Sequence, residues 1–248
     1  MGAPGVFPMS IASPKFWVAP AAALLLATAS AQAEESRTAA LDASLRRLDV
    51  TLVGSVTVKL GDEAGYVLSA EDGEALDAVE ISTVGDRLIV KQRGKKGGWF
   101  WNDDDRPAVD LTVTLPAVEA IDLAGAGRLV GAGFAGSELE VSLAGAGECE
   151  LTELRLDRLE IDLAGAARCE TEGSARLQDI SIAGAGSYEG FELESEEASV
   201  TVAGAGAAEV TVTERLDGSV AGIGNITYRG SPKKITQSVS GLGSVEAD

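Results

Sequence analysis

The chain contains no histidine. The commonest general base and the commonest metal ligand are therefore missing, which excludes a Ser-His-Asp triad and a His-ligated zinc site. Three other groups of residues have types and spacings that can do chemistry. The first is the segment Gly94-Lys-Lys-Gly-Gly-Trp-Phe-Trp-Asn-Asp-Asp-Asp-Arg-Pro107. Trp99, Phe100 and Trp101 offer ring faces for a sugar or a polypeptide, and Asp103, Asp104 and Asp105 offer carboxylates for calcium. The Asp run lacks the alternating spacing of an EF-hand loop, so no metal and no other cofactor is assigned. The competing reading is a long hairpin tip whose aromatics fold back onto the body. The second group is Asp122 and Asp162, which recur at one position of a repeat with Ser142 between them. Two turns would separate them by about 9.6 Å. They read as solvated strand residues, and no catalytic residue is assigned. The third group is Cys149 and Cys169, also one repeat apart. Export would permit a disulfide, and stacked strands place Cα atoms at roughly 4.8 Å, but an in-register parallel pair is not ideal bonding geometry. Two small side chains filling an interior stack is the equal alternative.

The elements that position these residues follow from a repeated phrase. Ile-Asp-Leu-Ala-Gly-Ala-Gly at 121–127 returns in close form at 141–147, 161–167, 180–186 and 200–206, and in looser form at 218–224 and 237–243. The steps from Ala124 through Ala144, Ala164, Ala183, Ala203 and Ala221 to Ser240 are 20, 20, 19, 20, 18 and 19. A period of this length is the signature of a solenoid with one repeat per turn. Leu123, Leu143, Leu163, Ile182, Val202, Val220 and Val239 form one apolar column, and Ile121, Val141, Ile161, Ile180 and Val200 form another two residues earlier. Asp122, Ser142, Asp162, Ser181 and Thr201 lie between them. This alternation with period two predicts a strand with one face buried. The glycine after the mark recurs in every copy and predicts a corner. A second inward column then runs Leu129, Cys149, Cys169, Tyr188, Ala208, Ile226 and Val245, with Arg128, Glu148 and Arg168 as an outward charge ladder beside it. A helix is excluded, since each interior glycine costs it about 1 kcal/mol. A leucine-rich horseshoe is excluded by its missing Asn/Cys ladder. The fold class is all-β, a parallel β-helix.

Residues 1–33 read as an export signal: Lys15, an apolar run from Phe16 to Ala29, and Ala31-Gln32-Ala33 at the cleavage spacing. Met1 or Met9 can initiate it. Residues 34–44 read as a flexible start. Residues 45–247 form one domain, irregular over 45–118 and regular over 119–247. The strands expected before the array are Leu48–Val58 with a bend, Tyr66–Ala70, Ile81–Thr83, Leu88–Gln92 and Val109–Leu115; Ala75–Val79 is a helical turn or a loop. The formal charge is −19, which opposes contact with nucleic acid or anionic membranes. Disorder is outweighed by 45% hydrophobic residues in a regular pattern. No second long apolar segment follows the signal, so no membrane span is expected after its removal.

Leu48-Asp-Val-Thr-Leu-Val-Gly, Lys59-Leu-Gly-Asp-Glu63, Asp86-Arg-Leu-Ile-Val90, Thr114-Leu-Pro116, Gly222-Ile-Gly-Asn-Ile-Thr-Tyr-Arg-Gly-Ser-Pro232 and Val239-Ser-Gly-Leu-Gly243 together resemble the bacterial family of auto-transporter adhesin head GIN domains. The resemblance covers roughly 45–247. It implies a right-handed parallel β-helix and an extracytoplasmic place, whether periplasm, cell surface or secreted. It carries no catalytic residues. The repeats run to residue 243, which leaves no room for a barrel of the chain's own. The expected function is a non-enzymatic binding or scaffold module for a surface carbohydrate or protein, with homo-oligomer formation through a flat face or an exposed end left open. A carbohydrate-active β-helix enzyme is the alternative, because acids and Lys/Arg can run such chemistry without histidine.

Overall fold

The computed structural model describes residues 35–94 and 106–248. The expected export signal and the segment Trp99–Asp105 lie outside the described residues. The N-terminal elements are β1 (Glu35–Ala40), β2 (Arg47–Leu60), β3 (Gly65–Ala70), the short helix α1 (Gly73–Asp77), β4 (Val79–Val84), β5 (Arg87–Gln92) and β6 (Asp110–Leu115). The array follows as β7 (Ala120–Ala132), β8 (Ala135–Gly145), β9 (Glu148–Gly165), β10 (Arg168–Gly184), β11 (Ser187–Gly204) and β12 (Ala207–Gly222). It ends with β13 (Asn225–Arg229), β14 (Lys234–Gly241) and β15 (Ser244–Ala247).

The array is a β-solenoid of about six turns. Its strands pair in parallel with the copy one turn on, and the register is the one the repeat dictates. Ile121, Val141, Ile161, Ile180 and Val200 are Cα partners in succession, as are Leu123, Leu143, Leu163, Ile182 and Val202. Both columns are buried. The chain then turns at Gly145 and its equivalents, which hold φ near +125° and bring backbones together. A Cβ on Gly145 would stand 2.2 Å from the Gly125 carbonyl oxygen, so no other residue fits without moving the ladder. Beyond the corner Leu129, Cys149, Cys169, Tyr188, Ala208 and Ile226 form the second inward column, and each is buried.

Tyr188 is large for that column, and its hydroxyl needs partners inside the core. It donates to Gln178 Oε1 at 3.1 Å and shares a hydrogen bond of 2.8 Å with Thr171 Oγ1. Gln178 Nε2 donates to Ser195 Oγ at 2.9 Å, and Ser195 Oγ donates to the Thr211 carbonyl at 2.7 Å. The network satisfies groups that would each cost about 1–3 kcal/mol if buried alone. Gly190 makes room for the ring, since a Cβ there would meet it at 2.5 Å.

The irregular N-terminal part both begins and caps the solenoid. β2 pairs with β7 from Arg47↔Ala120 to Val58↔Gly131 and bends at Gly54, so it is the first turn in all but sequence. β5 and β6 lie parallel on its two halves. β3 and β4 then pair antiparallel to β6 and β5, which ends the parallel stacking on that side. Asp72 caps α1 by accepting a hydrogen bond from the Glu74 amide at 2.9 Å. One expectation is corrected here. Residues 35–40, read as part of a flexible start, form β1, which pairs antiparallel with β3 along its whole length. Its side chains are all exposed, so the order comes from backbone pairing, which hydrophobic pattern does not reveal.

Candidate functional site

On the face after the Gly corner, the outward position beside the second inward column carries Glu150, Glu170, Glu189 and Glu209. They are successive Cα partners, Glu150↔Glu170, Glu170↔Glu189 and Glu189↔Glu209. Four carboxylates thus stand about 4.8 Å apart along the axis. Like charges directly opposite one another destabilise a sheet. Two arginines relieve the repulsion: Arg128 reaches Glu150 as well as Glu148, and Arg168 reaches Glu189. The expected Arg128–Glu148–Arg168 ladder is therefore present but leans diagonally onto the longer glutamate column. Burial and the neighbouring Glu189 push the Glu209 carboxyl above its ordinary value.

These glutamates border a shallow groove of about 270 Å³ that also takes in Thr152, Glu172, Phe191 and Arg229. The Arg229 guanidinium lies 3.8 Å from the centre of the Phe191 ring and donates to Asp248 at 2.7 Å. The groove combines a negative wall with one aromatic–cation stack. Among the described residues no group of three or more acidic or cysteine side chains is arranged to hold a metal ion. The glutamate column is legible in the repeat, six residues after the mark, two residues past the Arg128–Glu148–Arg168 ladder and eight past the position of Asp122 and Asp162.

The sequence-derived candidates fall as follows. Trp99, Phe100, Trp101, Asp103, Asp104 and Asp105 lie outside the described residues. The described residues flanking that segment, Gly94 and Arg106, line a pocket of about 320 Å³ with Glu74, Asp77, Ala78, Arg93 and Pro107. Asp122 and Asp162 share their column with Asp49, the Cα partner of Asp122. Asp122 is not a freely solvated strand residue. Arg87 donates to it at 3.3 Å and also stands 3.9 Å from Asp49. Asp162 is partly covered, and burial followed by the nearby Glu160 raises its carboxyl above the ordinary value. The structure thus does not bring Asp122 and Asp162 together as an acid–base pair: one is clasped by arginine, and Ser142 stands between them. Cys149 and Cys169 are Cα partners on adjacent turns, both buried and both free thiols. Burial pushes the Cys169 thiol well above its ordinary value, which suppresses the reactive thiolate.

No curated protein matches the chain. Among solved structures, it is similar to a putative adhesin from Bacteroides fragilis, with 19% identity, a TM-score of 0.76, and coverage of 87% of this chain and 97% of that one. It is also similar to a putative lipid binding protein from Parabacteroides distasonis, at 19% identity and a TM-score of 0.66, covering 87% and 96%. A putative adhesin from the same organism matches at 20% identity and a TM-score of 0.61, covering 87% and 97%. At these identities the likeness is one of fold. A family model described as "Putative auto-transporter adhesin, head GIN domain" matches residues 44–232, most of the chain, and the chain belongs to that family.

Proposed function

We propose that the protein is an exported, non-enzymatic binding module, adhesin-like, which holds a carbohydrate or a protein at the cell surface or in the periplasm. The observation that carries this reading is the placement of its acids. They stand in outward ladders along flat strand faces, several of them clasped by Arg87, Arg128, Arg158 and Arg168. A glycosidase needs two carboxylates facing each other across a cleft, with pKa values pushed apart. A long, regular, charged face suits recognition of a repeating or extended partner. The family name and the adhesin neighbours point the same way, as does the export signal read in the sequence. Among the described residues, no helix is long and apolar enough to cross a membrane.

The binding segment we favour is the one the sequence singled out, Trp99 to Asp105, because paired indoles beside carboxylates suit a sugar ring. The test is a glycan array with calcium present, probed with the native protein and with Trp99→Ala/Trp101→Ala of equal Tm. Binding by the native protein that is lost in the variant is the expected result. Equal binding by both would move the site off this segment, and binding by neither would leave protein partners as the class to search.

A further inference from the structure

We propose that the C-terminal end of the solenoid is a self-association surface, on which β14 pairs edge to edge with β14 of a second copy in a two-fold, tail-to-tail dimer. β14 pairs with β12 on one side, and no described strand pairs with its other edge. Natural edge strands are blunted by bulges, prolines, lysines or inward-pointing charges. β14 has such a device only at its start, where Lys234 follows Pro232 and Lys233. From Ile235 to Gly241 it has none, its register with β12 runs unbroken to Gly222↔Gly241, and its interior-facing positions are Ile235, Gln237 and Val239. At the opposite end of the molecule the antiparallel strands β1, β3 and β4 close the stack.

The end turn is also where apolar side chains come to the surface. Ile235 and Val239 continue buried columns yet are 40% and 45% exposed. At the corner, a column of alanines in the earlier turns is replaced by Ile223 and Leu242, which are 62% and 88% exposed.

Charge selects the occupant. The chain carries 39 acidic residues, and none lies between Gly218 and Val245. The cations of this stretch are largely neutralised: Arg229 pairs with Asp248 and Lys233 with Glu214. Elsewhere two copies of so acidic a protein repel. Here they meet as neutral surfaces.

The strand is self-complementary in register. Antiparallel pairing centred on Gln237 sets Ile235 opposite Val239 of the second copy, and Val239 opposite its Ile235. Thr236 then faces Ser238, and Lys234 faces Ser240, so no like charges meet. A shift of one residue would oppose inward to outward side chains. A shift of the centre to Thr236 or Ser238 would leave an apolar residue facing Gln237. The interface is isologous, as a two-fold dimer requires.

The test is sedimentation velocity of the purified protein from low to high micromolar concentration, beside Ile235→Lys/Val239→Lys. The native protein is expected to pass from monomer to dimer, and the variant to remain monomeric. Its Tm should equal that of the native protein at low concentration, where both are monomers, because both positions are already half-exposed. A native protein monomeric throughout, or a dimer that persists in the variant, would overturn the proposal. Register is tested with Gln237→Cys, expected to give a disulfide-linked dimer on oxidation, against Thr38→Cys in β1 at the other end, expected to stay monomeric. Cross-linking through position 38 and not 237 would also overturn it.

Discussion

Glu209 is the residue at which local electrostatics can be read most directly. Its carboxyl is partly covered and faces Glu189 one turn below, so its charged form is disfavoured in the folded protein. A raised carboxyl pKa means a penalty that is full above the folded value and fades as pH falls through it toward the unfolded one. Glu209→Gln is therefore expected to raise Tm at neutral pH by about 2–4 °C, for up to ~1 kcal/mol. The gain should vanish as pH falls through the carboxylate range; a gain independent of pH would mean that the charge is not its source. The inside and outside of the strand are tested by a neighbouring pair. Leu163 is 2% exposed, so Leu163→Asp should cost about 3 kcal/mol or more. Asp162→Ser should leave Tm unchanged or slightly higher, since burial and Glu160 already disfavour that charge. Equal melting losses would contradict the assigned faces. Leu163 and its column were legible in the sequence because apolar residues recur at a fixed step. The Arg87 clasp on Asp122 was not, because Arg87 lies in the irregular segment 35 residues away, where no period reports what faces what.

At the scale of the element, the two glycines of each Ala-Gly-Ala-Gly corner look alike in sequence and differ in the fold. The first, such as Gly184, has a φ of +125°, and a Cβ there would lie 2.4 Å from the Gly165 carbonyl oxygen. The second is replaced by Ala167 in one turn, and that alanine is buried in the stack. Gly184→Ala should therefore cost at least ~2 kcal/mol, about 4–8 °C in Tm, and clearly more than Gly186→Ala. Similar losses at both would contradict the distinct roles. Only the occasional alanine in the second column distinguished them beforehand. Cys149 and Cys169 belong to the same scale. As buried, stacked thiols they should stay unreactive in the native protein and titrate as two free thiols on denaturation without reductant. Their register was evident from the 20-residue step, whereas their bonding state depends on side-chain geometry that spacing does not fix.

For the whole molecule, 39 acids against 20 Lys and Arg leave a self-repelling body. Added salt should raise Tm by a few degrees at low ionic strength, because screening relieves more repulsion than it weakens exposed ion pairs. A fall in Tm would show that the arginine clasps outweigh the net charge. The array was readable from the first repeat to the last, since each turn restates the same pattern. The cap was not: β1 is exposed on every residue, and antiparallel pairing with β3 leaves no mark in hydrophobic periodicity. The function proposed for the whole molecule is binding without turnover. The most direct measurement is to incubate the protein with each polysaccharide it retains, then assay new reducing ends and recover the ligand for its mass. The expected result is retention with no new ends and an unchanged mass. New ends appearing at a rate that falls on substitution of a single ladder carboxylate would contradict it.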